Sequence, residues 1–316
     1  MGGFSSEHDI SIQSGNIVYK HLNHEKYNTY RVHITKEHWV CLDENGKEYP
    51  IDKSDFSVQL VTKVNFDCVF NAIHGTPGED GLLQAYFELL GIPQTSCNHY
   101  QAALTFSKRD LLSVLKPHGI KAATSYYVDK GDEINSENIV KKVGLPCFVK
   151  ANKAGSSYGI SKVYEESQLV SAIEKAFKED DEIIIESFLD GVEVSVGVIT
   201  YEGQVKVLPM TEIVSENDFF DYEAKYLGKS EEITPARISE EIRLKIEVIA
   251  KKVYEVLKLK GFSRSEYIIV DSEPYLLEVN TTPGLTEESI LPKQAKEADI
   301  SLSKLFDSSI IEALRP

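Results

Sequence analysis

Residues 263–286 read SRSEYIIVDSEPYLLEVNTTPGLT, and the rest of the chain is best understood from this stretch. Two runs rich in β-branched and aromatic residues flank Asp271-Ser272-Glu273-Pro274, the composition of a β-hairpin. Side chains alternate faces along a strand, so Arg264 pairs in orientation with Glu266, and Glu278 with Asn280. With a three-residue loop, Glu266 lies opposite Glu278 and Arg264 opposite Asn280. One face then carries two carboxylates, an amide oxygen and a guanidinium. Apposed carboxylates repel unless a cation sits between them, and oxygen ligands at this spacing suit magnesium held together with phosphates. The opposite face, with Tyr267, Ile269, Tyr275 and Leu277, is apolar and is expected to cover a core. A solvated sheet face is the plainer reading of such charges. It leaves unexplained the NTTPG turn at 280–284, whose amides can face an oxyanion.

Two further stretches carry chemistry. Residues 146–163, PCFVKANKAGSSYGISKV, place a strand ending at Lys150 before a small loop with Gly155, Ser156, Ser157 and Gly159. Glycines let backbone amides approach phosphate oxygens, and hydroxyls add donors. This is not the P-loop pattern, because no lysine closes it before a helix. An ordinary hairpin loop fits equally well on its own; beside the hairpin face it reads as a nucleotide clamp. Residues 74–81, HGTPGEDG, end an apolar run at 67–73. His74 there is a candidate catalytic or substrate-contacting group, or a histidine that satisfies local turn amides.

The remaining elements suggest an α/β chain. A helix over 10–22 follows a glycine turn at Gly2-Gly3, strands are expected at 27–34, 38–42 and 67–73, and a helix at 81–90 stops at Gly91. This alternation predicts a parallel sheet with ligands at the carboxyl ends of its strands. A helix over 100–115 carries Lys108. Strands follow at 146–150, 160–164, 182–188, 193–200 and 204–214, with a polar loop from 215 to 235. Ser239 can cap a final long helix, with Glu240 and Glu241 favouring its dipole.

Composition narrows the function. The chain has 316 residues, 42% hydrophobic and 27% charged, with a formal net charge of −16. That charge argues against nucleic acid or an anionic membrane surface as the main partner. A local lysine cluster can still receive an anionic small ligand. Cys41, Cys68, Cys97 and Cys147 show no metal or disulfide spacing, so reduced thiols are expected. No apolar run reaches transmembrane length and no signal-peptide pattern opens the chain, so a cytoplasmic enzyme is the expectation.

Taken in order, GGFSSEHDIS (2–11), HGTPGEDG (74–81), VKANKAGSSYGISKV (149–163), YEAKY (222–226) and LLEVNTTPGLTEESILP (276–292) resemble the D-alanine–D-alanine ligases across nearly the whole chain. The resemblance implies a three-domain ATP-grasp fold with an N-terminal Rossmann-like (pre-ATP-grasp) domain, divided here at 1–97, 98–187 and 188–316. It implies ATP and two magnesium or manganese ions as cofactors, D-alanine as substrate and a homodimer. By the same resemblance, Lys108 and Lys150 contact ATP phosphates and the loop with Ser156 and Ser157 closes over them. Glu186, Ser187 and Leu189 flank adenine, and Glu193 holds the ribose. Glu266, Glu278 and Asn280 match the metal ligands. Glu7 matches the residue holding the first D-alanine's ammonium, with Ser156 and Tyr226 as its partners and Lys225 in a mobile loop. Arg264 and the Gly284 amide match the oxyanion stabilisers, and Ser289 and Ile290 surround the second D-alanine.

Three departures from the family pattern carry expectations of their own. Glu266 stands where aspartate is usual, which shifts the metal. Ser187 stands where lysine is common, which weakens one adenine-side contact. No strand precedes Gly2, which is expected to leave neighbouring backbone groups unpaired and the Glu7 subsite loose. The rival readings are a D-alanine–D-lactate or other ATP-grasp ligase, and a nucleotide-binding protein without ligase activity.

Overall fold

Helix α1 (His8–His21) buries Ser11, Ser14, Gly15 and Val18, a single helical stripe. Val18 and Leu22 join a core with Phe262, Leu285, Leu291 and Phe306 from the far end of the chain. Burying an aliphatic side chain of this size contributes roughly 1.5–3 kcal/mol. This packing brings the start of α1, where Glu7 sits, to the end of the hairpin. The computed structural model describes residues 1–153, 155, 159–215 and 230–315.

Strands β1 (Arg31–Ile34), β2 (Trp39–Leu42), β3 (Glu48–Asp52), β4 (Ser57–Gln59) and β5 (Lys63–Val64) form one sheet in sequence order. Every pair in it is antiparallel. This corrects the expected parallel sheet. The connections between these strands are short turns, and a parallel pair needs a crossover of a dozen residues or more. Parallel pairing occurs instead as isolated bridges, Gly2 to Ile34 and Val69 to Gln94. The strand expected over 67–73 is reduced to the bridge at Val69, whose amide donates to the Pro93 carbonyl.

The first residues enter the gap between β1 and the 67–73 run. The Met1 amine donates to the Val32 carbonyl at 2.9 Å, the Ile34 amide donates to Met1, and the Gly3 amide donates to Ile34. The edge at Ile34 is therefore paired, against expectation. The arrangement encloses an ammonium, and burial pushes its pKa down to about 5. Beyond Met1 the gap continues as a cavity of about 420 Å³, walled by Val32, Phe70, Val18 and Tyr19.

Helix α2 (Leu82–Leu90) covers the first sheet. The helix expected over 100–115 is two, α3 (His99–Phe106) and α4 (Lys108–Leu115). Ser107 breaks them with extended backbone and accepts from the Asp110 amide. Asn152 then donates to Ser107 Oγ at 3.0 Å. The break sets Lys108 at the first turn of α4.

A second sheet has the order β6 (Ser125–Asp129), β9 (Glu182–Ser187), β7 (Cys147–Ala151), β8 (Ser161–Val163). Helices α5 (Ser136–Val143) and α6 (Leu169–Ala176) pack on it through Ile139, Leu169 and Ile173 against Ile183 and Ile185. The third sheet contains β10 (Val192–Tyr201), β11 (Gln204–Val207), β12 (Thr211–Ser215), β13 (Ser230–Ile233), β14 (Phe262–Val270) and β15 (Glu273–Asn280). The single strand expected over 204–214 is thus two. Helix α7 (Glu240–Val256) lays Ile246, Ala250 and Val253 against Val196, Val198 and Tyr267. Its cap is Ser239, which accepts from the Ile242 amide. Helices α8 (Ile290–Glu297) and α9 (Leu302–Ala313) complete the described chain. Among the described residues no helix is long and apolar enough to cross a membrane.

Candidate active site

The hairpin pairs Arg264 with Asn280 and Glu266 with Glu278. The route to that register differs from the expected three-residue loop. Val270 pairs with Glu273, so the loop is only Asp271 and Ser272, both at positive φ. That geometry is the tight turn whose twist suits a hairpin. A bulge between Glu266 and Tyr267 then supplies the missing residue, since Tyr267 pairs with Leu276 and Glu266 with Glu278. Leu277 is the extra residue. The bulge also corrects the expected apolar face: Tyr267, Ile269, Pro274, Leu276 and Val279 are buried, while Tyr275 and Leu277 are only half-buried.

A cavity of about 390 Å³ opens beside this hairpin and gathers Glu7, His74, Lys108, Arg264, Glu278, Asn280, Gly284, Ser289 and Ile290. These come from the start, middle and end of the chain. Lys108 Nζ lies 3.2 Å from Glu278 Oε2. Arg264 Nη1 bonds Glu266 Oε1 and lies 3.2 Å from Ser195 Oγ. Glu266 is only 3% exposed. Asn280 Oδ1 accepts from the Thr282 amide at 2.8 Å, bending the chain into the following turn. The donor set of two carboxylates and an amide oxygen, set on two paired strands, fits a hard divalent cation.

Glu7 is the N-cap residue of α1 and lines the cavity. Its amide donates to Ser5 Oγ at 3.3 Å, and Ser5 Oγ donates to the His74 carbonyl. Gly75, at φ +65°, passes so close that a Cβ there would lie 2.6 Å from Ser5 Oγ and 3.2 Å from Glu7 Oε2. A Cβ on Gly155 would lie 2.9 Å from the same Oε2. At the opposite end, a Cβ on Gly284 would meet Ser289 Oγ at 2.8 Å. Ser289 is the N-cap of α8 without a side-chain capping bond, and its Oγ accepts from the Thr286 amide at 3.2 Å. A helix start with free amides favours a carboxylate.

Of the residues expected at the nucleotide, Lys150, Glu186 and Ser187 lie on the second sheet, Glu193 on β10 of the third and Lys108 on α4. Lys150 Nζ is 2.8 Å from Glu186 Oε2. Burial works against the Lys150 ammonium, but Glu186, Glu278 and Glu193 outweigh it and raise its pKa. Glu186 Oε1 is buried with no hydrogen-bond partner among the described residues. An orphaned buried acceptor is costly and suits a ligand's N–H donor. Ser187 departs from its expected place. It follows Glu186 on the strand and so faces the other way, where its Oγ accepts from the Thr124 amide at 3.0 Å. Leu189 lies just past the end of β9. Ser156, Ser157, Lys225 and Tyr226 lie outside the described residues.

Sequence reading missed three groups beside Lys150. Phe148 pairs in register with both Glu186 and Lys162, its ring stands 6.1 Å from that of Phe188, and Lys162 Nζ sits 4.1 Å over Phe188. The period-2 alternation from Lys150 back to Phe148 was the available signal. It also missed Glu79, whose carboxylate accepts from the Gly75 amide at 2.9 Å. Burial, and then the charge of Glu7, push its pKa up to about 8. An unfolded chain ionises this group near 4.5, whereas the folded one retains the proton to about 8. Stability from this group therefore falls as pH rises through that window. Glu79→Gln cannot ionise, so its Tm relative to wild type is expected to climb between about pH 4.5 and about pH 8; a constant difference would show the carboxyl ionised throughout.

His74 lines the cavity while its ring is engaged within the protein. It is 4% exposed, with Nδ1 2.7 Å from the Thr282 carbonyl and Nε2 3.1 Å from Ser14 Oγ. Both nitrogens are used within the protein.

Comparison with known proteins identifies the family. Residues 1–97 match the model of the D-ala D-ala ligase N-terminus, and residues 114–312 that of the D-ala D-ala ligase C-terminus. The chain is 70% identical over 311 residues to a D-alanine–D-alanine ligase of Flavobacterium johnsoniae, covering 98% of this chain and 96% of that protein. Among solved structures, the D-alanine–D-alanine ligase of Bacillus anthracis complexed with ATP superposes with a TM-score of 0.80 at 30% identity, covering 100% of this chain and 96% of that one. The VanG D-Ala:D-Ser ligase of Enterococcus faecalis gives 0.85 at 31% identity, covering 99% and 97%. The chain belongs to the D-alanine–D-alanine ligase family.

Proposed function

We propose that this protein is an ATP-dependent ligase that joins two D-alanines through an acyl phosphate, supplying a cytoplasmic precursor of peptidoglycan, and that it works as a homodimer. The observation that carries the reading is the cleft in which Glu7, Arg264, Glu278, Asn280 and the start of α8 converge, with Glu266 paired opposite Glu278 on the adjoining strand.

Lys108 and Lys150 are each paired with a carboxylate, and triphosphate oxygens would compete for the same ammonium groups. Glu186 Oε1 would accept from the adenine amine, with Phe148 and Phe188 flanking the ring. Glu193 would hold the ribose. Magnesium or manganese, two ions in the family pattern, would be held by Glu266, Glu278 and Asn280 and would neutralise phosphate charge when bound. Glu7 would hold the ammonium of the first D-alanine, whose carboxylate attacks the γ-phosphorus and releases ADP. The amine of the second D-alanine attacks the acyl carbon, its carboxylate resting at Ser289 and the Ile290 amide. Arg264 and the Gly284 N–H would donate to the resulting oxyanion, and phosphate leaves. By resemblance to the family, Ser156, Ser157, Lys225 and Tyr226 would close over the site and exclude water, which hydrolyses an acyl phosphate.

The test is ADP release measured in parallel with D-alanine, D-serine, D-lactate and L-alanine. D-alanine is expected to drive release and yield the dipeptide. A preference for D-lactate or D-serine as second substrate would move the assignment to another ligase of this fold. ATP binding with no amino-acid-dependent release would reduce it to nucleotide binding.

A further inference from the structure

Helix α1 encloses two hydroxyls, Ser11 and Ser14, both 0% exposed. Each is bonded to His74. Ser11 Oγ accepts from the His74 amide at 2.9 Å and donates to the Glu7 carbonyl at 3.1 Å. Ser14 Oγ lies 3.1 Å from His74 Nε2, and the Leu285 amide lies 3.2 Å from the same oxygen. The other ring nitrogen, Nδ1, is 2.7 Å from the Thr282 carbonyl.

These contacts select one arrangement of protons. A carbonyl only accepts, so Nδ1 carries the hydrogen. Burial lowers the His74 pKa, so the ring is neutral and Nε2 offers a lone pair. Ser14 therefore donates to Nε2, and its oxygen accepts from Leu285. The chain of bonds begins at Thr282 and ends at Leu285, the two ends of one turn. Gly284 lies inside that turn, beside Ser289. Deleting the Ser14 hydroxyl would orphan Nε2 and the Leu285 amide together, both on buried residues.

We propose that Ser14 is a positioning residue for acyl transfer: by directing its proton to His74 and accepting from Leu285, it holds the turn that aims the Gly284 N–H at the oxyanion. This rests on the ligase reading above, and Ser14 touches no substrate itself. Its effect falls on kcat, because the oxyanion exists only during the chemical step, and not on the KM for ATP.

The test compares full-length wild type with Ser14→Ala, Ser14→Cys and Ser14→Thr. Activity is expressed per folded molecule by circular dichroism, and the His74 tautomer is read by ¹⁵N–¹H NMR. The expected result is a fall in kcat on the order of tenfold for Ser14→Ala, less than the loss of an oxyanion donor itself. KM for ATP stays unchanged, and Ser14→Thr, which keeps the hydroxyl, recovers most of kcat. Wild-type His74 shows its hydrogen on Nδ1, and Ser14→Ala weakens that preference. Should Ser14→Ala fail to fold, Ser14→Cys, of similar size but a poor donor, carries the kinetic arm. Full kcat per folded molecule in Ser14→Ala or Ser14→Cys overturns the proposal, as does equal loss in Ser14→Thr. A wild-type ring protonated on Nε2 overturns it whatever the kinetics. If D-alanine drives no ADP release in wild type, the ligase reading fails, while the tautomer measurement still decides the hydrogen-bond chain.

Discussion

Replacing Glu278 by glutamine is expected to abolish turnover, by about a thousandfold or more, while the melting temperature stays close to wild type. The size follows from removing one of two carboxylates facing a triphosphate-bound cation, an effect worth several kcal/mol, with each 1.36 kcal/mol a factor of ten in rate. The fold is expected to survive because Glu278 sits on the cleft side of β15, not in the core, which is built by Leu276 and Val279. Glutamine keeps the shape and one acceptor oxygen. Lys108 loses a charge partner at 3.2 Å but lies in a cleft with other acidic groups. The measurement is steady-state ADP release beside a thermal melt. Substantial residual turnover would contradict the metal assignment, and a collapsed melt would move Glu278 from chemistry to architecture.

Arg264→Lys is expected to lower kcat by about a hundredfold, with the KM for ATP within a few-fold of wild type. Lysine keeps a positive charge against Glu266, so the buried carboxylate is not stranded, which would cost several kcal/mol. It lacks the planar fork of donors that lets a guanidinium bind Glu266 and Ser195 while still offering an N–H to a developing oxyanion. Loss of one such donor usually costs a hundredfold to a thousandfold in kcat. Wild-type kcat in this variant would remove Arg264 from the chemical step and leave it as the counter-ion of Glu266.

How much of this was readable before the fold? The hairpin was, because its residues are local and strand alternation makes parity predictive. Glu266 and Glu278 meet as expected, yet by a different route, since neither a two-residue turn nor a compensating bulge is marked by residue type. The first sheet was misread for a related reason. Alternating apolar segments do not reveal pairing direction, whereas the shortness of the links does. His74 was ambiguous because its partners, Ser14 and Thr282, are 60 and 208 positions away. Phe148, Lys162 and Phe188 look like ordinary strand residues until the second sheet sets them beside Lys150. Lys108 gained its place from a break at Ser107, which a helical stripe running through 100–115 conceals.

The bulge at Leu277 carries an implication for descent. In most strands an inserted or lost residue reverses every side chain beyond it. Here the turn end and the cleft end already differ by one step, and Leu277 absorbs it. A relative that lacks this one position would straighten its ribbon and still set its two acids face to face, so a gap is expected to be tolerated at Leu277 and selected against on either side of it.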